Sequence, residues 1–284
     1  MRWYGTVAAA AALGLLVTAC SSSGGGPAAT PAQSSASASA SAKGQASLLA
    51  SELKITPSDG SHDVNPAQGI TVTPTQGKVT NVTVKTSGDP VSGSLSAGDR
   101  TWHSAWTLGA AQSYTVTATG VNDSGQKIVT TSTFRTLSPA STFQTEIFEG
   151  SGQTYGVGMP IILNFSRPIT NKAAVERSLQ LTTSQPVIGA WYWDGNQQVY
   201  FRPRAYWPAN TTVSFDGHLN GVEGAAGVYG TADLTQSFNI GSSVIAVAST
   251  TDHFTEIYVN GKLTYKWPIS TGRTTLPTPD GSYS

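Results

Sequence analysis

From about residue 51 to residue 241 the chain runs in short alternating stretches rich in Thr, Val and aromatic residues, each cut off within a few positions by Gly, Pro, Asn or Asp. Side chains on an extended strand point to opposite faces in turn, so this pattern buries one face of each strand and wets the other. β-Branched residues fit such a pleated surface and lose side-chain freedom in a helix. Short strands separated by turn signals fold as antiparallel sandwiches. The predicted strands include Thr71–Thr73, Lys78–Lys85, Tyr114–Ala118 and Lys127–Phe134, then Ile161–Phe165, Ala190–Trp193, Gln198–Phe201 and Thr212–Phe215. A helix is predicted only at Lys172–Leu179, capped by Thr170 or Asn171, with Ala174, Val175 and Leu179 on its apolar face.

Composition narrows the functional classes. Charged residues make up 11% of the 284 positions and the net charge is zero, so the basic surplus that holds a phosphate backbone is absent and nucleic acid is not an expected partner. Polarity comes from hydroxyls instead, with 71 Ser and Thr residues. Cys20 is the one cysteine, which leaves no disulfide, thiolate metal site or thiol nucleophile in the later part. The four histidines, at 62, 103, 218 and 253, lack the short spacings of a zinc site, so no metal and no cofactor are expected.

Arg2 and the apolar run Val7–Val17 form an export signal too short for a permanent span of the bilayer. Its end, Leu16-Val17-Thr18-Ala19-Cys20, is similar to the site at which bacterial lipoprotein signals are cut. Cleavage between Ala19 and Cys20 and lipidation of Cys20 are therefore expected, with the acyl chains holding the protein to the outer side of the cell membrane. In residues 21–50, Ser, Ala, Gly and Pro fill 24 of 30 positions. Such a tract builds no core and serves as a tether with a reach of about 30 Å.

The expected organisation is a signal at 1–19, a lipidated tether at 20–50, one β module at 51–137, a second with a short helix at 138–241, and a new unit at 242–284. Trp106-Thr107-Leu108 and Ser113–Ala118 resemble the late strands of bacterial immunoglobulin-like modules. Trp102 beside His103 reads as core or edge packing rather than a binding pair. In the second module Trp191, Tyr192, Trp193, Tyr200, Tyr206 and Trp207 crowd together, and Trp191, Trp193 and Trp207 are the candidate aromatic contact surface. Alternation puts Trp191 and Trp193 on one face and Tyr192 on the other, which favours core and interdomain packing over an exposed sugar platform. In the last unit Val244–Ala248 and Thr255–Val259 read as strands, and Asn260-Gly261 is a hairpin signal leading into Lys262–Trp267.

Taken in order, the lipobox, the Ser/Ala tether, the two modules with Val157-Gly158-Met159-Pro160 and Arg202–Pro208, the Ile269–Gly272 segment and Thr278-Pro279-Asp280-Gly281 resemble the lipid-anchored L,D-transpeptidases that remodel peptidoglycan in actinobacteria. The resemblance implies an all-β chain of two tandem immunoglobulin-like sandwiches followed by the first strands of a truncated L,D-transpeptidase catalytic domain. It implies peptidoglycan stem peptides as substrates of the parent enzyme and a Cys acyl-enzyme as its intermediate. The family's Ser-x-Gly-Cys nucleophile motif has no counterpart before Ser284, so no catalytic residue is carried onto this chain, and residues 1–284 alone are expected to be inactive. The alternative is a lipid-anchored wall lipoprotein that holds glycan or serves structurally.

Overall fold

The structure, a computed structural model, describes residues 53–278 apart from 97, 99 and 274. Ala19, Cys20 and the tether predicted at 21–50 lie outside the described residues. The described residues belong to one compact unit, are almost entirely β, and bury their side chains in two clusters.

The first cluster fills a sandwich of two antiparallel sheets. One sheet has the order Leu53–Thr56, Thr71–Pro74, Trp102–Ser104, Gly93–Leu95; the other runs Lys78–Thr86, Ser113–Val121, Lys127–Arg135. The expected alternation is clear in Ser113–Val121, where Tyr114, Val116 and Ala118 are buried and meet Leu53, Val72 and Trp102 from the facing sheet. Trp102 is core, whereas His103 is exposed and bonds Thr71 Oγ1 at 3.2 Å. At the turn after this strand, Asn122 Oδ1 accepts from the backbone N–H of Ser124 and Gln126, and Gly125 takes a φ of +79°.

The second cluster fills a larger sandwich. Its sheets are Thr154–Tyr155, Leu234–Ile240, Thr212–Gly217, Leu179–Thr183, and Gly189–Asp194, Gln198–Pro203, Ile161–Phe165, Thr145–Ile147, with a small sheet of Glu223–Ala225, Val228–Gly230 and Ser141–Phe143. The helix spans Lys172–Arg177, shorter than predicted, because Leu179 already pairs with Gly217 as strand. Asn171 stands at its N-cap without a side-chain cap: its Nδ2 donates instead to the Glu223 carbonyl at 3.0 Å. Val175 supplies the helix's fully buried contact.

A third sheet follows, ordered Val244–Ser249, Phe254–Val259, Lys262–Pro268. Its hairpin is the predicted one, with Asn260 at φ +49° and Gly261 at +79°, as a two-residue turn of matching twist requires. Ile245 packs on the second core, but Leu263, Tyr265 and Trp267 stand 45%, 51% and 55% exposed.

Candidate functional site

The aromatic residues of the second sandwich are divided by strand parity. Trp191 meets Phe201 and Phe215 edge-on at 5.3 and 6.1 Å, and Trp193 stacks on Phe165 at 5.4 Å. Trp193 Nε1 donates to Glu176 Oε1 at 2.7 Å, and Lys172 Nζ sits 5.1 Å from the same ring. Trp207 is 2% exposed and its Nε1 donates to the Met159 carbonyl. Burial of a Trp body requires a partner for its N–H, and Trp193 and Trp207 both find one inside the protein. The structure thus turns Trp191, Trp193 and Trp207 towards the core, with Trp191 and Trp193 half-buried at its edge, and leaves Tyr192 and Tyr206 as the exposed rings, at 68% and 58%.

A second constellation joins the two sandwiches. Trp106 stacks on His218 with ring centres 3.9 Å apart. Beside them Asn220 Nδ2 donates to Asp89 Oδ2 at 3.1 Å, and the Asn220 N–H donates to Asp233 Oδ1 at 2.8 Å. Gly221, at φ +76°, approaches so closely that a Cβ there would lie 1.9 Å from the Leu108 carbonyl oxygen. These residues border a cleft of about 280 Å³ whose polar wall includes Asp89, Gln112, Tyr114 and Asp233. Burial pushes the Tyr114 phenol up, although its O–H donates to the Gly109 carbonyl at 3.3 Å. Two of the cleft's polar side chains, Asp89 and Asn220, bond each other across the junction, so the arrangement works as a joint between sandwiches. The sequence gives no sign of it, since Trp106 and His218 are far apart in the chain and meet only through topology.

One buried acid lies elsewhere in the second sandwich. Glu149 is 1% exposed, and both of its carboxylate oxygens accept from the Ile162 N–H, at 3.2 and 3.3 Å. Burial raises its carboxyl above the usual carboxylate range, against the lowering effect of those backbone bonds. On the third sheet Glu256 accepts from Lys266 Nζ at 2.9 Å and Tyr258 Oη at 2.7 Å, and the lysine contact lowers its carboxyl. Among the described residues no group of three or more His, Cys, Asp or Glu is placed to hold a metal ion. None of their helices is long and apolar enough to cross a membrane.

Residues 61–223 match the family described as bacterial Ig domain, a stretch that runs through both sandwiches. The chain is 33% identical over 239 residues to L,D-transpeptidase 2 of Mycobacterium tuberculosis, covering 84% of this chain and 58% of that protein. It is 32% identical over 232 residues to L,D-transpeptidase 5 of the same species, covering 80% of this chain and 51% of that protein. A solved L,D-transpeptidase from Mycobacterium smegmatis is 28% identical, with a TM-score of 0.37, covering 49% of this chain and 58% of that one. The chain thus spans between half and three-fifths of the length of these two tuberculosis relatives.

Proposed function

The chain belongs to the bacterial Ig domain family, and from that premise we propose that it is the anchoring and spacing part of an L,D-transpeptidase that cross-links peptidoglycan, together with the first strands of the catalytic domain. The observation that carries this reading is the similarity to mycobacterial L,D-transpeptidases along 84% of the chain. A function is argued from a site rather than from a fold. What the two sandwiches supply is placement. The junction at Trp106, His218 and Gly221 stiffens the pair, and Ile245 fastens the third sheet to the second core.

The third sheet is where the catalytic domain begins in this reading. A sheet needs a second layer against its apolar face, and the row Leu263, Tyr265, Trp267 is the face such a layer would cover. The nucleophile is a Cys thiolate on the continuing polypeptide. It attacks the carbonyl before the terminal D-Ala of a tetrapeptide stem, D-Ala leaves, and an amine of a neighbouring stem resolves the thioester into a cross-link. Cys20 has a different fate in the same proposal: it carries the lipid that holds the protein outside the membrane, and the tether lets the sandwiches stand off into the wall.

Two measurements test this. The native gene product, incubated with tetrapeptide stems, is expected to release D-Ala and form cross-linked dimers; a native product that does neither contradicts the enzyme reading. Its intact mass is expected to show an acylated Cys20 as first residue, and Cys20→Ala to move the protein out of the membrane fraction. Unchanged membrane partition of that variant would refute the anchor.

A further inference from the structure

The same strands that bury Trp191 and Trp193 carry an ordered pattern on their outer face. Strand register puts Tyr192 beside Tyr200 and Tyr200 beside Ile162. The Phe148 N–H donates to the Ile162 carbonyl at 3.0 Å, which sets Phe148 next in line. The result is one row, Tyr192, Tyr200, Ile162, Phe148, crossing three strands at right angles and ending just past the strand Thr145–Ile147. Three inter-strand gaps make it about 14 Å long. Its two ends are open, with Tyr192 68% and Phe148 65% exposed.

A polar row runs parallel to it, two residues further along each strand. Asp194 pairs with Gln198, Gln198 with Asn164, and Asn164 with Glu146. Gln198 Nε2 donates to Asn164 Oδ1 at 2.6 Å and its Oε1 accepts from the Tyr200 hydroxyl, so the centre of the pattern is held by its own bonds. On the other side of the aromatic row Ala190 faces Arg202. Ion pairs among the described residues are confined to His218–Asp233 and Lys266–Glu256, so Asp194, Glu146 and Arg202 are left unpaired.

We propose that this face is a binding strip for a linear glycan chain. A row of rings with hydrogen-bonding groups along one side, and Ala190 and Arg202 along the other, suits a ligand with apolar faces and polar edges. A pyranose ring is of that kind: its C–H face lies on an aromatic ring while its hydroxyl and acetamido groups point sideways. The edging row is rich in acceptors, Asp194 and Glu146 at its ends, which match hydroxyl and amide N–H donors and repel phosphate polymers. The residues concerned are not the Trp191, Trp193, Trp207 set that the sequence brings forward, because those rings face the opposite side of the sheet. The proposal rests on this geometry and stands apart from the transpeptidase reading.

The test uses the full 284-residue chain and two probes: an N-acetylglucosamine tetramer and peptidoglycan glycan strands stripped of their stem peptides, so that no cross-linking chemistry enters. Binding is read by titration, with thermal midpoints recorded alongside. Tyr192→Ala and Phe148→Ala, both outward-facing, are each expected to weaken binding about fivefold or more without moving the midpoint. Tyr192→Trp is expected to retain binding, and Tyr265→Ala, an exposed ring on the third sheet, to leave it unchanged. If the parent chain binds neither probe, or if both Ala variants bind as it does, the strip is not a glycan site, and burial against another protein layer becomes its explanation.

Discussion

The second sandwich and the sheet that follows it are both rich in large apolar side chains, yet they place them oppositely. Trp207 is 2% exposed, wedged against Phe201, while Trp267 is 55% exposed and, among the described residues, stacks only on its strand neighbour Tyr265. The difference lies in layers rather than in residues. In the sandwich a facing sheet receives every second side chain; against the row Leu263, Tyr265, Trp267 no described element packs as a second layer. An aromatic residue is therefore core, surface or contact according to what the topology sets opposite it.

Mutations sharpen this contrast. Trp207→Ala should show the largest effect, about 3–5 kcal/mol of lost stability, seen in denaturant unfolding of the chain; a loss below about 1 kcal/mol would mean that Trp207 does not anchor the second core. Gly221→Ala comes next. Its new Cβ would overlap the Leu108 carbonyl and its backbone would be held at φ +76°, so a cost of about 1–3 kcal/mol is expected. That loss should be accompanied by a change in Trp106 fluorescence as its stack on His218 opens; an unchanged spectrum and midpoint would show that the sandwiches are not joined there.

Glu149 gives a smaller, pH-dependent effect. Its raised carboxyl means that the native state keeps the proton to higher pH than the unfolded chain does. As pH rises through the window between the two, the unfolded chain sheds its proton first, so stability falls and stays lower above the window. Glu149→Gln cannot ionise, and its thermal midpoint should change less between acid and neutral pH than the parent's. Equal slopes for both proteins would place Glu149 in a solvated setting. The smallest effect is expected for Trp267→Ala in the 284-residue chain, within about 0.5 kcal/mol, as measured by the same unfolding curves.

Much of the fold was readable in the residues themselves. Alternation in Ser113–Val121 and Ile161–Phe165, and the positive-φ turn at Asn260-Gly261, are local facts that a single sequence carries. The helix predicted to Leu179 ends at Arg177, because Leu179 pairs with Gly217 in the strand Thr212–Gly217, a partner far away in the sequence. The aromatic cluster from Trp191 to Trp207 is legible in the sequence, whereas Phe148 lies far from it in the chain and joins its outer face only through strand pairing. Parity assigns Tyr192 to the far face of its strand, yet the row to Phe148 depends on register between segments far apart in sequence. The Trp106–His218 joint and the buried Glu149 have the same origin, tertiary neighbours with no local signature.

If the third sheet is the beginning of a larger catalytic domain, as proposed, a further layer covers its apolar face in the native protein. Oxidative footprinting of Tyr265 and Trp267 detects that layer, comparing the native gene product from the cell wall with the 284-residue chain. Both side chains should be strongly protected in the native protein and freely labelled in the shorter chain. Equal labelling in the two would contradict the claim, since no further layer would then cover that face.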